Sequence, residues 1–200
     1  MGWTDEQSEK FQSQAEAAFE LWSAEADARN RLPFWAMQTA ACYSLLVKGE
    51  FFRQPVMLDD SDFNDSGRNF SLAVQSIDPS RVFTPSDISF FSPCSASSAS
   101  NTSSTNRNAS CSIRDGIAIG RRGEPSGYWI SNPLPETGRL ASNAKDFSFV
   151  PAKIAHRPGM LHGLIVKDDD QYRGVSVLAP AMKFFRDLSD YLDFELAELS

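Results

Sequence analysis

The chain has 200 residues, of which 42% are hydrophobic and 22% charged, values that suit one globular unit with a sizeable core. The formal net charge of −7 argues against a protein that grips nucleic acid through a surface covered in Lys and Arg. The apolar runs fall short of the ~20 residues that cross a bilayer, and the start of the chain lacks the stretches of a signal peptide. We therefore expect a protein that is made and kept in the cytoplasm.

The first part of the sequence predicts two helices joined by a short link. Thr4 and Gln7 have the spacing of a capping box, and apolar residues then recur every three or four positions over residues 11–26. Pro33 interrupts this pattern because proline lacks the N–H that a helix interior needs. A second apolar stripe covers residues 34–49. Because the link is short, the pattern favours a helical hairpin.

Strand-like patterns follow these two helices. Residues 51–58 and 70–74 flank an acidic turn and predict one antiparallel hairpin. Residues 117–119 and 128–130 flank a glycine-rich turn and predict a second hairpin. Two further short strands are predicted, at residues 82–83 and at residues 147–151.

Residues 92–112 consist mostly of Ser, Asn, Ala and Thr and have almost nothing to bury. Because no burial offsets the entropy of ordering such a segment, we predict a flexible surface loop. The three cysteines, Cys42, Cys94 and Cys111, are an odd number in a chain without an export signal. Free thiols are the favoured interpretation, and a Cys94–Cys111 disulfide is the alternative.

Residues 176–200 predict a long C-terminal helix. Ser176 is a suitable N-cap, and Pro180 falls in the first turn, where proline is tolerated. Acidic residues cover most of the surface outside one apolar face. That face includes four residues that we predict to pack or to form an interface, namely Phe184, Phe185, Leu188 and Leu192. The whole pattern predicts an α+β fold with a helical hairpin, antiparallel β-hairpins and this last helix, which follows a domain at residues 1–175.

The motifs that could carry chemistry are incomplete. Asp60 and Asp62 match the start of a calcium loop, but Asp65 stands where that loop needs a glycine. Residues 174–177 lack the second glycine of a hydrolase nucleophile elbow. His156 and His162 have no Cys or His partner at the spacing of known zinc motifs. We therefore predict no enzyme, no metal site and no cofactor, and assign the histidines to hydrogen bonding in loops or interfaces.

Six short strings, each weak alone, follow one another in a fixed order along the chain. Together they resemble the lambda-type family of bacteriophage portal proteins. Their most distinctive residues are Trp22, Gly49, Glu50, Asp78, Pro79, Arg81, Val82, Gly116, Gly123, Tyr128, Trp129, Pro151, His156, Arg173, Gly174 and Ser176.

The resemblance implies a structural subunit with a portal wing-like α+β domain. Portal subunits form a closed, usually dodecameric ring at one vertex of the capsid. The terminase motor pumps DNA through this ring, and head-completion proteins later seal it. The implied partners are therefore further copies of the chain, capsid protein, terminase and head-completion proteins. DNA would pass without sequence-specific binding and no membrane would be involved; the implied location is the bacterial cytoplasm during assembly and then the virion.

Full portal subunits are longer than this chain, so the resemblance implies mostly the wing and the start of a helix that runs towards the stem. Residues 92–112 would be an insertion. Without later partners for its last helix, the chain is expected to be a marginally stable monomer or a polydisperse oligomer. Two alternatives stay open: a non-functional prophage remnant, or an unrelated hydrolase or binding module.

The composition of residues 92–112 predicts where a protease will cut first. Limited proteolysis should cleave inside this segment before it cleaves elsewhere between Phe51 and Pro151, because a solvated segment enters a protease site without unfolding the domain. Peptide mapping of the first fragments measures this. Early cleavage within the two predicted hairpins, with residues 92–112 protected, would contradict the prediction.

Overall fold

The computed structural model describes residues 4–59, 61–62, 67–86, 91–93, 110–132 and 143–198. Its helices and strands, in chain order, are α1 (Asp5–Ala24), α2 (Phe34–Lys48), β1 (Glu50–Met57), β2 (Leu72–Ile77), β3 (Phe91–Pro93), β4 (Ser110–Arg114), β5 (Ile117–Ile119), β6 (Pro125–Ser131), β7 (Phe147–Pro151), β8 (Lys153–Ile154), β9 (Arg157–Pro158), β10 (Leu161–Leu164) and α3 (Met182–Glu198). Short 3-10 helices lie at Pro79–Arg81, Ala144–Asp146 and Ala179–Ala181. This mixed architecture confirms the predicted α+β class.

The first helix begins and the second helix ends where the sequence signals place them, but α1 already ends at Ala24, before the end of the predicted apolar stripe at residue 26. The Thr4 hydroxyl accepts the backbone N–H of Gln7 at 3.4 Å, and the Gln7 side chain accepts the backbone N–H of Thr4 at 3.2 Å. The predicted capping box is therefore confirmed. The rings of Trp22 and Phe34 lie 5.2 Å apart, which brings the end of α1 against the start of α2.

The strands of the described residues form three antiparallel sheets. The first has the order β10-β1-β2, the second runs β3-β4-β5-β6-β7, and β8 pairs with β9. Both predicted hairpins are present, since β1 pairs with β2 and β5 pairs with β6. The predicted strand at residues 147–151 is β7. The tertiary fold adds β10, which comes from far along the chain to cover the free edge of β1.

Two short segments differ from the predicted secondary structure. Val82 makes one isolated bridge to Ile130 in place of a strand at residues 82–83, and the 3-10 helix Pro79–Arg81 keeps the residues just before it from pairing. Phe91–Pro93 and Ser110–Ser112 pair as strands at the two ends of the segment expected to be a loop. The Ser- and Asn-rich middle of that segment, residues 94–109, lies outside the described residues.

The C-terminal helix begins later than expected. Its α-helical hydrogen bonding starts at Met182, after the 3-10 turn Ala179–Ala181 that contains Pro180. The Ser176 hydroxyl still accepts a backbone N–H, that of Leu178 at 3.0 Å. Ser176 therefore caps the turn that leads to α3, and the prediction that it caps the α-helix itself was wrong.

Apolar side chains form two separate cores. The larger core lies between the first two sheets and has Phe52 at 1% exposure. The smaller core joins Ala26, Met37 and Val74 beneath the two N-terminal helices. In contrast, every described side chain of α3 up to Leu196 is exposed. None of the described helices is long and apolar enough to span a membrane.

The burial of Phe52 predicts a large stability effect at the centre of the main core. Phe52→Ala should lower the free energy of unfolding by roughly 3–5 kcal/mol, because it removes apolar contact and leaves a cavity. The matched control Tyr43→Ala removes an aromatic ring that is 70% exposed on α2 and should change stability by less than about 0.5 kcal/mol. Urea denaturation of both variants provides the measurement. Equal effects would show that the core is assigned to the wrong residues.

Candidate functional site

A buried carboxylate lies where α2 passes into β1. The helix ends at Gly49, whose φ of +86° is the left-handed conformation that closes a helix without strain in glycine. Glu50 is the first residue of β1 and is 2% exposed. Because a buried charge must be paired and hydrogen-bonded to be tolerated, the partners of Glu50 define the site.

Both oxygens of the Glu50 carboxylate are occupied. Oε1 accepts from Arg173, whose Nη2 lies 2.6 Å away and whose Nε lies 2.8 Å away. Oε2 accepts the backbone N–H of Gly174 at 2.7 Å and lies 3.2 Å from Nε2 of His162. One carboxylate near the start of the first sheet therefore fixes two segments that follow much later in the sequence.

The Arg173 guanidinium extends the contact beyond Glu50. Its Nη1 donates to the carbonyl oxygens of Val82 at 2.7 Å and Asp115 at 2.6 Å, and its Nη2 donates to the carbonyl oxygen of Pro79 at 3.1 Å. These partners lie beside the first 3-10 helix and in the turn between β4 and β5. A planar guanidinium with five donors can bind all of them at once, which a lysine ammonium cannot do.

His162 closes the cluster from β10, in register with Phe52 on β1. The two rings stack with centroids 4.1 Å apart, and the Tyr128 ring meets the imidazole edge-on at 5.7 Å. Burial, with a smaller contribution from the charge of Glu50, raises the pKa of Tyr128 to about 12. The polar cluster therefore continues directly into the main apolar core.

The chain crosses itself closely at this point. A Cβ atom on Gly174 would overlap the carbonyl of Gly49, and a Cβ atom on Gly49 would overlap the backbone of Val175. The next residue, Ser176, donates its hydroxyl to the carbonyl oxygen of Leu46 at 3.2 Å. The segment before α3 is thus held across the end of α2, and this geometry requires glycine at both positions.

The pKa of Glu50 reflects opposing effects. Burial alone would raise the pKa of the carboxyl group, but hydrogen bonds with His162, Arg173 and the Gly174 amide outweigh it and hold the pKa below the ordinary value of 4.5. The folded protein therefore favours the ionised carboxylate. At neutral pH the folded protein therefore contains Glu50 as a charged carboxylate.

The cluster is arranged to fix chain segments in place. A general base needs a free lone pair within reach of a substrate proton, whereas both Glu50 oxygens are already bound. An open cleft of about 730 Å³ lies beside it, but its hydroxyl groups are engaged too. Ser80 Oγ donates to Asp78 at 2.7 Å, and Thr84 Oγ1 accepts the N–H of Gly116 at 2.9 Å.

Several of the sequence-predicted residues meet around this cluster. The residues brought together are Gly49, Glu50, Asp78, Pro79, Val82, Gly116, Tyr128, Arg173, Gly174 and Ser176. Asp78 accepts the backbone N–H of Ser80 and forms an ion pair with Lys48. Arg81, on the same 3-10 helix, donates through Nε and Nη2 to the carbonyl oxygen of Ser131 at 3.0 and 2.6 Å.

The other predicted residues lie elsewhere. Trp22 donates its indole N–H to the carbonyl oxygen of Leu72 at 2.8 Å and so attaches α1 to β2. Gly123 turns the chain between β5 and β6, Trp129 packs on Phe149, and Pro151 ends β7. His156 is exposed in the turn between β8 and β9. On α3 the exposed fractions are 73% for Phe184, 67% for Phe185, 55% for Leu188 and 52% for Leu192.

The described part of the chain has no cluster of side chains suited to bind a metal ion. No group of three or more His, Cys, Asp or Glu side chains there could hold an ion. Asp60 and Asp65 of the incomplete calcium loop lie outside the described residues. Cys42 has a free thiol on the surface of α2, and Cys94 lies outside the described residues, so the Cys94–Cys111 alternative stays open.

Sequence reasoning missed the role of His162. It assigned the histidine to a loop or an interface, while the structure places it on β10 inside the cluster. The apolar residues at 164–166 that follow it were the available signal for a strand. That signal was weak because the strand has only four residues and pairs with β1, more than a hundred residues earlier.

Comparison with known proteins adds one finding. A family model described as "Phage portal protein, lambda family" matches residues 1–199. No curated protein matches the chain.

The buried ion pair predicts a pH-dependent contribution to stability. Glu50→Gln leaves Arg173 without its anion and should lower the free energy of unfolding by roughly 3–5 kcal/mol at neutral pH. Because folding lowers the pKa of Glu50, this contribution is complete well above pH 4.5 and is lost as pH falls below 4.5 through the folded pKa. The difference between wild type and variant should therefore shrink in acid, as followed by denaturation across pH.

The matched control for this substitution is Asp78→Asn. It breaks the exposed Lys48–Asp78 ion pair but keeps an oxygen that can cap the 3-10 helix. Exposed pairs contribute little, so its effect should stay within about 1 kcal/mol. A Glu50→Gln variant that is no less stable than this control would refute the structural role of the cluster.

Proposed function

Because the chain belongs to the lambda family of phage portal proteins, we propose that it is a structural subunit of the ring through which the genome enters and leaves the capsid. The match over residues 1–199 is the observation that carries this proposal. Portal proteins are components of the virion and form its special vertex. The finer proposal is that copies of this chain form part of the wall of the DNA passage.

The buried cluster supports a structural role. A subunit beside a moving DNA molecule has to keep its shape while the DNA passes. Glu50 and Arg173 join the first sheet, the 3-10 helix at Pro79–Arg81 and the β4–β5 turn into one body. All of these hydrogen bonds are donated by the Arg173 guanidinium, so the segments cannot shift independently without breaking several of them.

The net charge of −7 supports passage of DNA without capture. An acidic surface repels phosphate groups, whereas a basic surface would bind them and release counterions. We therefore propose that DNA passes without sequence-specific binding. The proposed protein partners are further copies of the chain, capsid protein, terminase and head-completion proteins, with assembly in the host cytoplasm. No catalytic step is proposed for this chain.

The proposal predicts a single location in the phage particle. Antibodies raised against the chain should label purified particles at one vertex, because a portal ring replaces one vertex of the shell. Antibodies against the major capsid protein serve as the control and should label the whole shell. Immunogold electron microscopy measures both patterns.

A genetic measurement tests the role in packaging. A stop codon early in the gene should yield heads without DNA, and the intact gene supplied separately should restore filled heads. Labelling spread over the shell, absence of the chain from particles, or filled heads in the stop-codon mutant would each contradict the proposal.

A further inference from the structure

A basic groove lies between α2 and the first sheet of this acidic protein. Its volume is about 410 Å³, and the charged side chains among its described lining residues are four cations and one carboxylate. The lining is therefore positive by three charges, against −7 for the whole chain. The charged residues are Arg29, Lys48, Arg53, Arg81 and Asp78.

The arginines of this basic groove make their hydrogen bonds to backbone carbonyl groups, and their nearest carboxylates, Asp27 for Arg53 and Asp78 for Arg81, act on them without forming a salt bridge. Arg29, Arg53 and Arg81 donate to the backbone carbonyl oxygens of Ser76, Met37 and Ser131, respectively. None of the three forms a salt bridge with another described residue. Burial, and then the neighbouring charge of Arg29, lowers the pKa of Arg81, although the carboxylate of Asp78 partly offsets this repulsion. The groove is thus a place where an added anion would relieve repulsion between like charges.

The helix α3 carries the opposite charge, and its side chains up to Leu196 are not covered by any of the described residues. Between Met182 and Glu198 it has two basic and five acidic residues, a net charge of −3. Its aromatic residues remain in water, and a helix with a broad apolar face is expected to bury it. Asp187 and Glu195 are eight residues apart and therefore lie on one side of the helix, beside the apolar residues Phe184 and Leu188.

The exposure of α3 shows that it does not fill the basic groove of its own chain. The Ser176 hydroxyl and the Val177 N–H are bound to the carbonyl oxygen of Leu46, near the end of α2. Beyond this anchor every described α3 side chain up to Leu196 stays exposed. The groove and the helix are two different, complementary surfaces of one molecule.

We propose that α3 of one copy of the chain docks in the basic groove of the next copy, with Asp187 and Glu195 facing the arginines. Two different surfaces that fit each other make a head-to-tail contact, which repeats from copy to copy and closes into a ring when the rotation allows. The inference rests on the proposed ring function and names the surfaces that would join its subunits.

A second copy fits the basic groove better than nucleic acid does. A duplex carries phosphates along its whole length and is bound through extended basic surfaces, whereas this groove is short and set in an acidic molecule. The groove also has apolar lining residues, including Ala40, Ala41 and Phe51. An amphipathic acidic helix supplies both the carboxylates and the apolar side chains that such a lining would cover.

The test is a charge exchange between the two surfaces in the full-length chain. Arg29→Glu reverses one charge of the groove, and Asp187→Lys with Glu195→Lys reverses the facing side of α3. Sedimentation velocity over a range of concentrations should show wild-type chains associating, and each variant alone associating about tenfold more weakly. A mixture of the two variants should regain part of the wild-type association, because the carboxylate introduced at position 29 then faces lysines introduced on α3, while the unchanged groove of the second variant meets an unchanged α3.

The matched controls change the same charges at other places. Arg31→Glu alters an exposed arginine outside the groove, and Asp193→Lys alters the opposite side of α3. Both controls should associate like the wild type. Circular dichroism and thermal unfolding of every variant establish that the reversals leave the fold intact.

The outcomes separate this inference from the proposed function. Association that is unchanged by the reversals, or that the mixture fails to restore, overturns the docking contact. A wild-type chain that stays monomeric at every concentration overturns it as well. Binding of a short DNA duplex that Arg29→Glu abolishes, with self-association unaffected, would assign the groove to nucleic acid instead. The location of the chain in the particle is measured independently, so it can stand when the docking contact fails.

Discussion

The ion pair between Glu50 and Arg173 is the contact on which most of the described fold depends. The Glu50 carboxylate is buried and the Arg173 side chain is 24% exposed, so removing the arginine leaves an unpaired charge inside the protein. Its position explains the neighbouring features. The left-handed Gly49 turns Glu50 inward, and Gly174 lets the later segment approach closely enough for its N–H to reach the carboxylate.

This contact also divides the molecule into regions of different stability. The two sheets, the 3-10 helix at Pro79–Arg81 and the segment before α3 all meet at the cluster or at the apolar core beside it. The N-terminal hairpin has a smaller core and is attached through polar contacts such as the Trp22 indole on the Leu72 carbonyl. Beyond its anchor α3 gains little from the rest of the chain, so it is the element best placed to gain from a neighbour.

Features that depend on interactions between neighbouring residues could be predicted from the sequence. The capping box at Thr4 and Gln7 marks the start of α1. Pro33 directly precedes α2, and Gly49 closes it. These signals can be read locally because their hydrogen bonds span three or four residues. The glycine-rich turn between β5 and β6 likewise set a hairpin. The ordered strings also indicated the portal family, which the match over residues 1–199 bears out.

Contacts between residues that are distant in the chain could not be predicted and became known from the three-dimensional fold. Three contacts join positions more than a hundred residues apart. They are the contact of His162 with Glu50, the pairing of β10 with β1, and the ion pair of Arg173 with Glu50. The basic groove likewise assembles arginines from separate elements. A local sequence pattern does not identify such partners, because the free energy of burying a side chain or pairing two strands depends on distant segments that pack together. Ser176 could be identified as a cap from the sequence. The sequence did not show that it caps a turn before α3, which starts at Met182, because that arrangement depends on the hydrogen bond between Ser176 and α2.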